Sequence, residues 1–211
     1  MNARRPQVAG ASAARPTRRG LLAAGAAGGV ALAVTACGGG GSERAGAVPA
    51  LRGRGDERIL QFALLLEFLE SDFYDAVVAS GLLRGRTLEI ARRFGENEQE
   101  HVDALTAAIQ QLGGTPPGKP RTRFVLEEPG AVLRQAAGIE ALGASAYLGA
   151  APLIEDPQVL GAALAIHSVE ARHAAALNRL LGRPVVGRSP FVKPAAVEDV
   201  LRQVAQYLEP V

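Results

Sequence analysis

Two Glu-x-x-His pairs, Glu98 with His101 and Glu170 with His173, are the residues of this sequence best suited to chemistry. A carboxylate and an imidazole three residues apart on a helix share one face and can close on one cation. Each pair follows a lone glutamate some thirty residues upstream, Glu67 and Glu140, and each lone glutamate is followed seven residues later by a tyrosine, Tyr74 and Tyr147. Corresponding positions recur at an offset of 72 or 73 residues. The pattern is a repeated set of metal ligands, as expected of a duplicated helical hairpin around one shared metal centre.

The elements that must position these residues can be placed from apolar spacing and breakers. One helix is predicted from about residue 56 to 80, stopping near Gly81, and a second from Thr87, a plausible N-cap, to Leu112, before Gly113-Gly114. A proline- and glycine-rich connection then runs to Pro129. A third helix follows from about 130 to 154, and Asp156-Pro157 supplies the cap and first turn of a fourth that reaches about Leu181. Two short turns and one long crossover between helices 2 and 3 give the connectivity of a ferritin-like antiparallel four-helix bundle. Residues 182–192 read as extended. A fifth helical stripe through Val197, Val200, Leu201, Val204 and Leu208 covers either the bundle or a partner. Alanine, leucine and glutamate dominate and β-type alternation is almost absent, so the fold class is all-α.

Helical phase puts the ligands inside. Phe94, Glu98, His101, Leu105, Ala108 and Leu112 trace one face of the second helix, and Ala163, Ile166, Glu170, His173, Leu177 and Leu180 one face of the fourth. Leu60, Ala63, Glu67, Glu70, Tyr74 and Val77 share a face of the first helix, as do Leu133, Ala136, Glu140, Gly143, Tyr147 and Ala150 of the third. Gly138, Gly143 and Ala144 beside Glu140 would let helices approach closely. One Glu-x-x-His pair would be unremarkable on a solvated helix; two in register, each with its glutamate, tyrosine and phase, are not. For Tyr74 and Tyr147, core packing and a supporting or radical role at the centre are equal readings. His167, one turn before Glu170, suits a partly exposed or supporting position better than that of a third histidine ligand. Glu70, Glu96 and Glu100 are expected to face water, although Glu70 is close enough in phase to substitute for Glu67.

Six ionisable groups in a core cost on the order of several kcal/mol each if unpaired. Two divalent or trivalent cations would neutralise them, and four carboxylates with two imidazoles suit iron or manganese better than copper or structural zinc.

The N-terminus has the layout of an export signal over residues 1–36. A basic region ends at Arg18-Arg19, and an apolar run to Ala36 follows, too short for a spanning helix. The arginine pair resembles a twin-arginine signal. Cys37, the one cysteine in the chain, follows Val34-Thr35-Ala36 as in a bacterial lipobox, where it would be lipidated. Residues 37–55 read as a flexible linker, 56–181 as the bundle and 182–211 as a C-terminal extension. Setting aside the five arginines of residues 1–36 turns the formal charge of +2 slightly negative. With no basic stripe and few aromatics, nucleic-acid binding has no support.

At Leu66-Glu67-Phe68-Leu69-Glu70, Glu98-Gln99-Glu100-His101, Glu140 with Ala146-Tyr147-Leu148, and Val169-Glu170-Ala171-Arg172-His173 the chain resembles the ferritin-like superfamily. The likeness is strongest to bacterial ferritin-like domain proteins related to desiccation-related proteins. The resemblance implies that Glu67, Glu98 and His101 hold one of two iron (or manganese) ions and Glu140, Glu170 and His173 the other, with Glu98 and Glu170 bridging. It implies redox chemistry with dioxygen or peroxide, as in Fe(II) oxidation during stress defence. A non-catalytic, metal-stabilised envelope or desiccation-protection role and a manganese catalase-like activity are the alternatives. The expected partners are metal ions, dioxygen or peroxide, the membrane through a lipid anchor, and a second copy in a homodimer. The expected location is the outer face of the bacterial cytoplasmic membrane or the periplasm.

Overall fold

The structure is a computed structural model that describes residues 51–185 and 189–210. Its main elements are α1 (Gly55–Ser80), α2 (Gly85–Gln111), α3 (Pro129–Ala150), α4 (Pro157–Leu180) and α5 (Val197–Val204). Helix α1 pairs with α2 and α3 with α4, and the two hairpins meet mainly along α1 and α3. No described helix is long and apolar enough to cross a membrane.

Local chemistry sets the ends of these helices. Gly81 stops α1 in a left-handed conformation (φ 65°) that a side chain would strain. Asp156 caps α4 by accepting from the backbone N–H groups of Gln158 and Val159, and Pro157 opens its first turn, as expected. Thr87 does not cap α2: the helix begins two residues earlier, after an extended Arg84, and the Thr87 hydroxyl donates to the Arg84 carbonyl. Helix α3 ends at Ala150 rather than 154, because the chain tightens into a 3₁₀ turn over Ala151–Leu153 at Pro152.

Two contacts fix the direction of the hairpins. Asp56 at the start of α1 accepts the backbone N–H groups of Glu155 and Asp156, just beyond the end of α3, so α1 and α3 run antiparallel. The crossover between α2 and α3 accordingly returns along α1. Thr122 donates to Asp72 at 2.8 Å, Lys119 pairs with the same carboxylate, and Phe124 packs edge-on against Phe73 at 5.2 Å.

The C-terminal stripe covers the bundle of its own chain. Val200, Val204 and Leu208 are buried, Leu208 bridges to Thr122, and the Ala195 N–H donates to the Ser145 carbonyl of α3. This close approach needs Gly149, where a Cβ would stand 2.0 Å from the Ala195 carbonyl oxygen. The α-helical part is shorter than the stripe suggested and continues as a 3₁₀ turn over Ala205–Tyr207.

Helix α1 contributes to both of the bundle's apolar clusters, and every residue from Leu60 to Glu70 except Phe68 is buried. Helix α2 buries one face only. Its seam passes through Leu105 to Ile109 and leaves Leu112 44% exposed, because a 3.6-residue turn drifts away from a strict 3-4 alternation.

Candidate metal centre

Each long helix delivers part of one cluster at the middle of the bundle. Helix α1 brings Glu67, α2 Glu98 and His101, α3 Glu140, and α4 Glu170 and His173. All four carboxylates are fully buried, and the two imidazoles nearly so. One ligand atom from each of Glu67, Glu98, His101 and Glu170 lies within 4.8 Å of the others, and the same holds for Glu98, Glu140, Glu170 and His173. The six residues singled out by spacing thus come together as two overlapping groups, with Glu98 and Glu170 in both.

The orientation of the lone pairs tests whether cations fit. His101 Nδ1 stands 2.9 Å from Glu98 Oε2, 3.1 Å from Glu67 Oε2 and 3.4 Å from Glu170 Oε1. On the other side, His173 Nδ1 stands 2.9 Å from Glu98 Oε1 and 3.3 Å from Glu140 Oε2, out of line for an N–H···O bond to either. Six buried side-chain atoms have no hydrogen-bond partner: Glu70 Oε2, Glu98 Oε1, Glu140 Oε2, both oxygens of Glu170 and His173 Nδ1. Buried polar atoms are normally paired; five of these six belong to residues of the two ligand groups, and the sixth is on Glu70 beside them. Lone pairs that converge on shared space rather than on donors are what a pair of cations requires. The oxygen-rich, two-imidazole donor set suits iron or manganese.

Both tyrosine hydroxyls reach the cluster, but crosswise. Tyr74 of α1 donates to Glu140 of α3, and Tyr147 of α3 donates to Glu67 of α1. Seven residues of helix rise about 10 Å, so neither phenol reaches the glutamate of its own helix, whereas the antiparallel neighbour brings the other within range. Burial and the adjacent carboxylates raise both phenol pKa values well above the usual range, which keeps them as donors. His167 lies outside the cluster: its Nδ1 is 2.9 Å from the Ala144 carbonyl oxygen and ties α4 to α3. Phe94 stacks on the His173 ring at 3.7 Å.

Two sequence expectations need correction. Glu70 does not face water; it is 2% exposed and borders the same Gly143 position as Glu170, a fifth buried carboxylate beside the two ligand groups though in neither. Glu96 and Glu100 are exposed, as expected. Gly138 is exposed and has no neighbour within 4 Å of a Cβ position, so it serves no close approach, and Gly143 makes room for the carboxylates of Glu70 and Glu170 rather than for a helix backbone. Asn97, which spacing did not single out, has its side-chain amide 3.0 Å from His173 Nε2; turned so that Oδ1 accepts the Nε2–H, it would leave Nδ1 free for a cation.

Electrostatics shows how the metal-free cluster would manage its charge. Burial pushes the Glu67 carboxyl up to about 7 against the pull of His101, and raises Glu140 against that of His173. Glu70 and Glu170 lie well above the usual carboxylate range, through burial first and then their acidic neighbours. For Glu98 burial acts in the same direction, but contacts with His101 and His173 outweigh it and lower the value. Burial would lower both histidines, but their carboxylate partners prevail and raise His101 to about 10 and His173 to about 9. Protons therefore stand in for the missing positive charge.

The arrangement defines a class of protein: an antiparallel four-helix bundle with a buried carboxylate and histidine site of two-metal type contributed by all four helices. The chain belongs to the ferritin-like domain family, whose profile matches residues 55–183. Among solved structures, a conserved hypothetical protein from Mycobacterium tuberculosis is similar at a TM-score of 0.55 with 20% identity. That similarity covers 64% of this chain and 96% of the other, and it concerns the fold alone. No curated protein matches the sequence.

A pH dependence follows from the raised values. Glu67 and both histidines have folded-state values above their unfolded ones, so each contributes stability that is complete below its unfolded value and lost as pH rises through the folded one. The windows run from 4.5 to about 7 for Glu67, and from 6.5 to about 10 for His101 and about 9 for His173. Glu98 acts oppositely and loses its contribution in acid. Metal-free protein is expected to lose thermal stability from about pH 5 to about pH 9, while protein loaded with Mn(II) keeps it as cations replace protons. Calorimetric Tm series with and without Mn(II) check this; a metal-free Tm that climbs across the range contradicts it.

Proposed function

We propose that this chain is an exported, membrane-anchored protein with a two-metal carboxylate centre of iron or manganese that oxidises Fe(II) or reduces dioxygen or peroxide in stress defence. The observation that carries the metal reading is the set of buried ligand atoms without hydrogen-bond partners, five on residues of the two ligand groups and one on the neighbouring Glu70. Two such ions, when bound, supply two electrons, enough with two protons to take one peroxide to two waters.

The protein's own residues arrange the rest. Glu98 and Glu170 stand between the two groups and would be shared by both ions. Glu67 and Glu140 are each oriented by a tyrosine from the opposite hairpin, which fixes the carboxylates while the second oxygen turns to the centre. Apolar packing above and below, with Phe94 over His173, excludes bulk water. The His101 side chain is 11% exposed against 5% for His173, so small reactants have their nearest approach on the His101 side.

Anaerobic loading with Fe(II), followed by oxygen or peroxide, is expected to give an optical change with consumption of the oxidant. Glu98→Ala and Glu170→Ala are each expected to abolish metal binding while the far-UV circular dichroism stays helical. Metal content unchanged in both variants would place the site elsewhere. Metal that binds without consuming either oxidant would replace the redox reading with a structural one, in line with the resemblance to desiccation-related proteins.

Export and anchoring rest on Arg18, Arg19 and Cys37, which lie outside the described residues. Their support is the order of basic pair, short apolar run and cysteine. Twin-arginine export carries folded cargo, which suits a site loaded before transport. In the native host Cys37→Ser is expected to shift the protein from the membrane to the soluble fraction, and Arg18→Lys with Arg19→Lys to hold it in the cytoplasm. Unchanged fractionation of both variants would remove this part of the proposal.

A further inference from the structure

We propose that Glu70 is a seventh ligand of the centre, a carboxylate that one half of the duplicated site supplies and the other lacks, so that the two metal positions are chemically unequal. This rests on the two-metal reading and extends it.

The evidence begins with the repeat. At the offset that matches Glu67 with Glu140 and Tyr74 with Tyr147, Glu70 falls on Gly143. In the structure these two positions meet. A Cβ on Gly143 would lie 2.7 Å from Glu70 Oε1 and 3.1 Å from Glu170 Oε2. The Glu70 carboxylate therefore enters the room left by the missing side chain of its own counterpart, beside an oxygen of Glu170, a residue that belongs to both ligand groups.

Its surroundings offer no other use for a carboxylate. Glu70 is 2% exposed and its Oε2 has no hydrogen-bond partner. The groups that act on its charge are Glu67, Glu140 and Glu98, all acidic. Acids with a structural role in this same protein look different: Asp56 accepts two backbone N–H groups, Asp156 caps α4, and Asp72 holds Thr122 and Lys119. Glu70 has none of these donors, and a cation is the partner its position leaves open.

A second break in the repeat has the same sense. Asn97, which supports His173, corresponds to Val169 in the other half, and a valine has no polar group to offer His101. One half thus has a supported histidine and the other does not, so the two positions differ in ligand number and in ligand orientation.

Stepwise titration of the full chain with Co(II), followed by calorimetry and visible absorption, tests the inference. Wild type is expected to take up two ions in unequal steps. Glu70→Ala is expected to weaken one step by about ten- to a hundred-fold and to change the Co(II) ligand-field spectrum, with formate restoring both. Gly143→Ala, whose Cβ displaces the Glu70 carboxylate, should give the same pattern with Glu70 still present, and Glu70→Gln repeats the test at constant volume should the alanine variant fail to fold. Two unchanged steps and an unchanged spectrum in the folded Glu70 variants overturn the ligand role and leave the two-metal reading standing. A wild type that takes up no Co(II) overturns both.

Discussion

Five carboxylates and two imidazoles share the middle of this bundle, and no lysine or arginine is buried among the described residues to balance them. An uncompensated charge of that kind costs on the order of several kcal/mol per group even after relaxation. The rest of the structure is organised around this excess of negative charge. Burial and mutual repulsion force Glu70 and Glu170 toward the protonated form, and the adjacent carboxylates, against the pull of burial, hold His101 and His173 protonated as well. A core with four apolar helices could be built more cheaply from leucine. Retaining the acids is understandable when cations replace the protons.

The duplicated hairpin explains how a small chain assembles such a site. Because α1 and α3 run antiparallel, each half completes the other. Tyr74 supports Glu140, Tyr147 supports Glu67, and Glu98 of one hairpin touches histidines of both. Neither hairpin carries a complete set of ligands, so the centre and the packing of the two hairpins depend on one another. The crossover and the C-terminal segment secure the outer surfaces. The crossover is held to α1 at Asp72 and Phe73, and α5 is seated on α3 where Gly149 leaves room for the Ala195 carbonyl.

Much of this was legible in the sequence because ligands and apolar neighbours share one helical period. The steps from Phe94 through Glu98 and His101 to Leu105, and from Ile166 through Glu170 and His173 to Leu177, put acids on buried stripes before any fold was known. The all-α class, the long crossover and the Asp156-Pro157 start of α4 followed from the same reading. Glu70 was misplaced because an acid one turn from a ligand usually lies at the wet edge of an amphipathic helix. The signal that could have found it is the run from Leu60 to Leu69, apolar on every side apart from Gln61 and Glu67, which marks α1 as a helix with no wet face there. The crosswise tyrosines were not legible, since spacing along one helix does not reveal which neighbour stands beside it. Thr87 misled because a suitable cap residue two positions inside a helix looks the same in sequence as one at its start.

The central claim is that paired cations, and not protons, balance the buried acids in the functioning protein. Elemental analysis of the protein purified from its native host without chelators measures this directly. The account expects about two iron or manganese ions per chain, one for each of the two overlapping ligand groups. A protein that is folded, intact and essentially free of metal would contradict it.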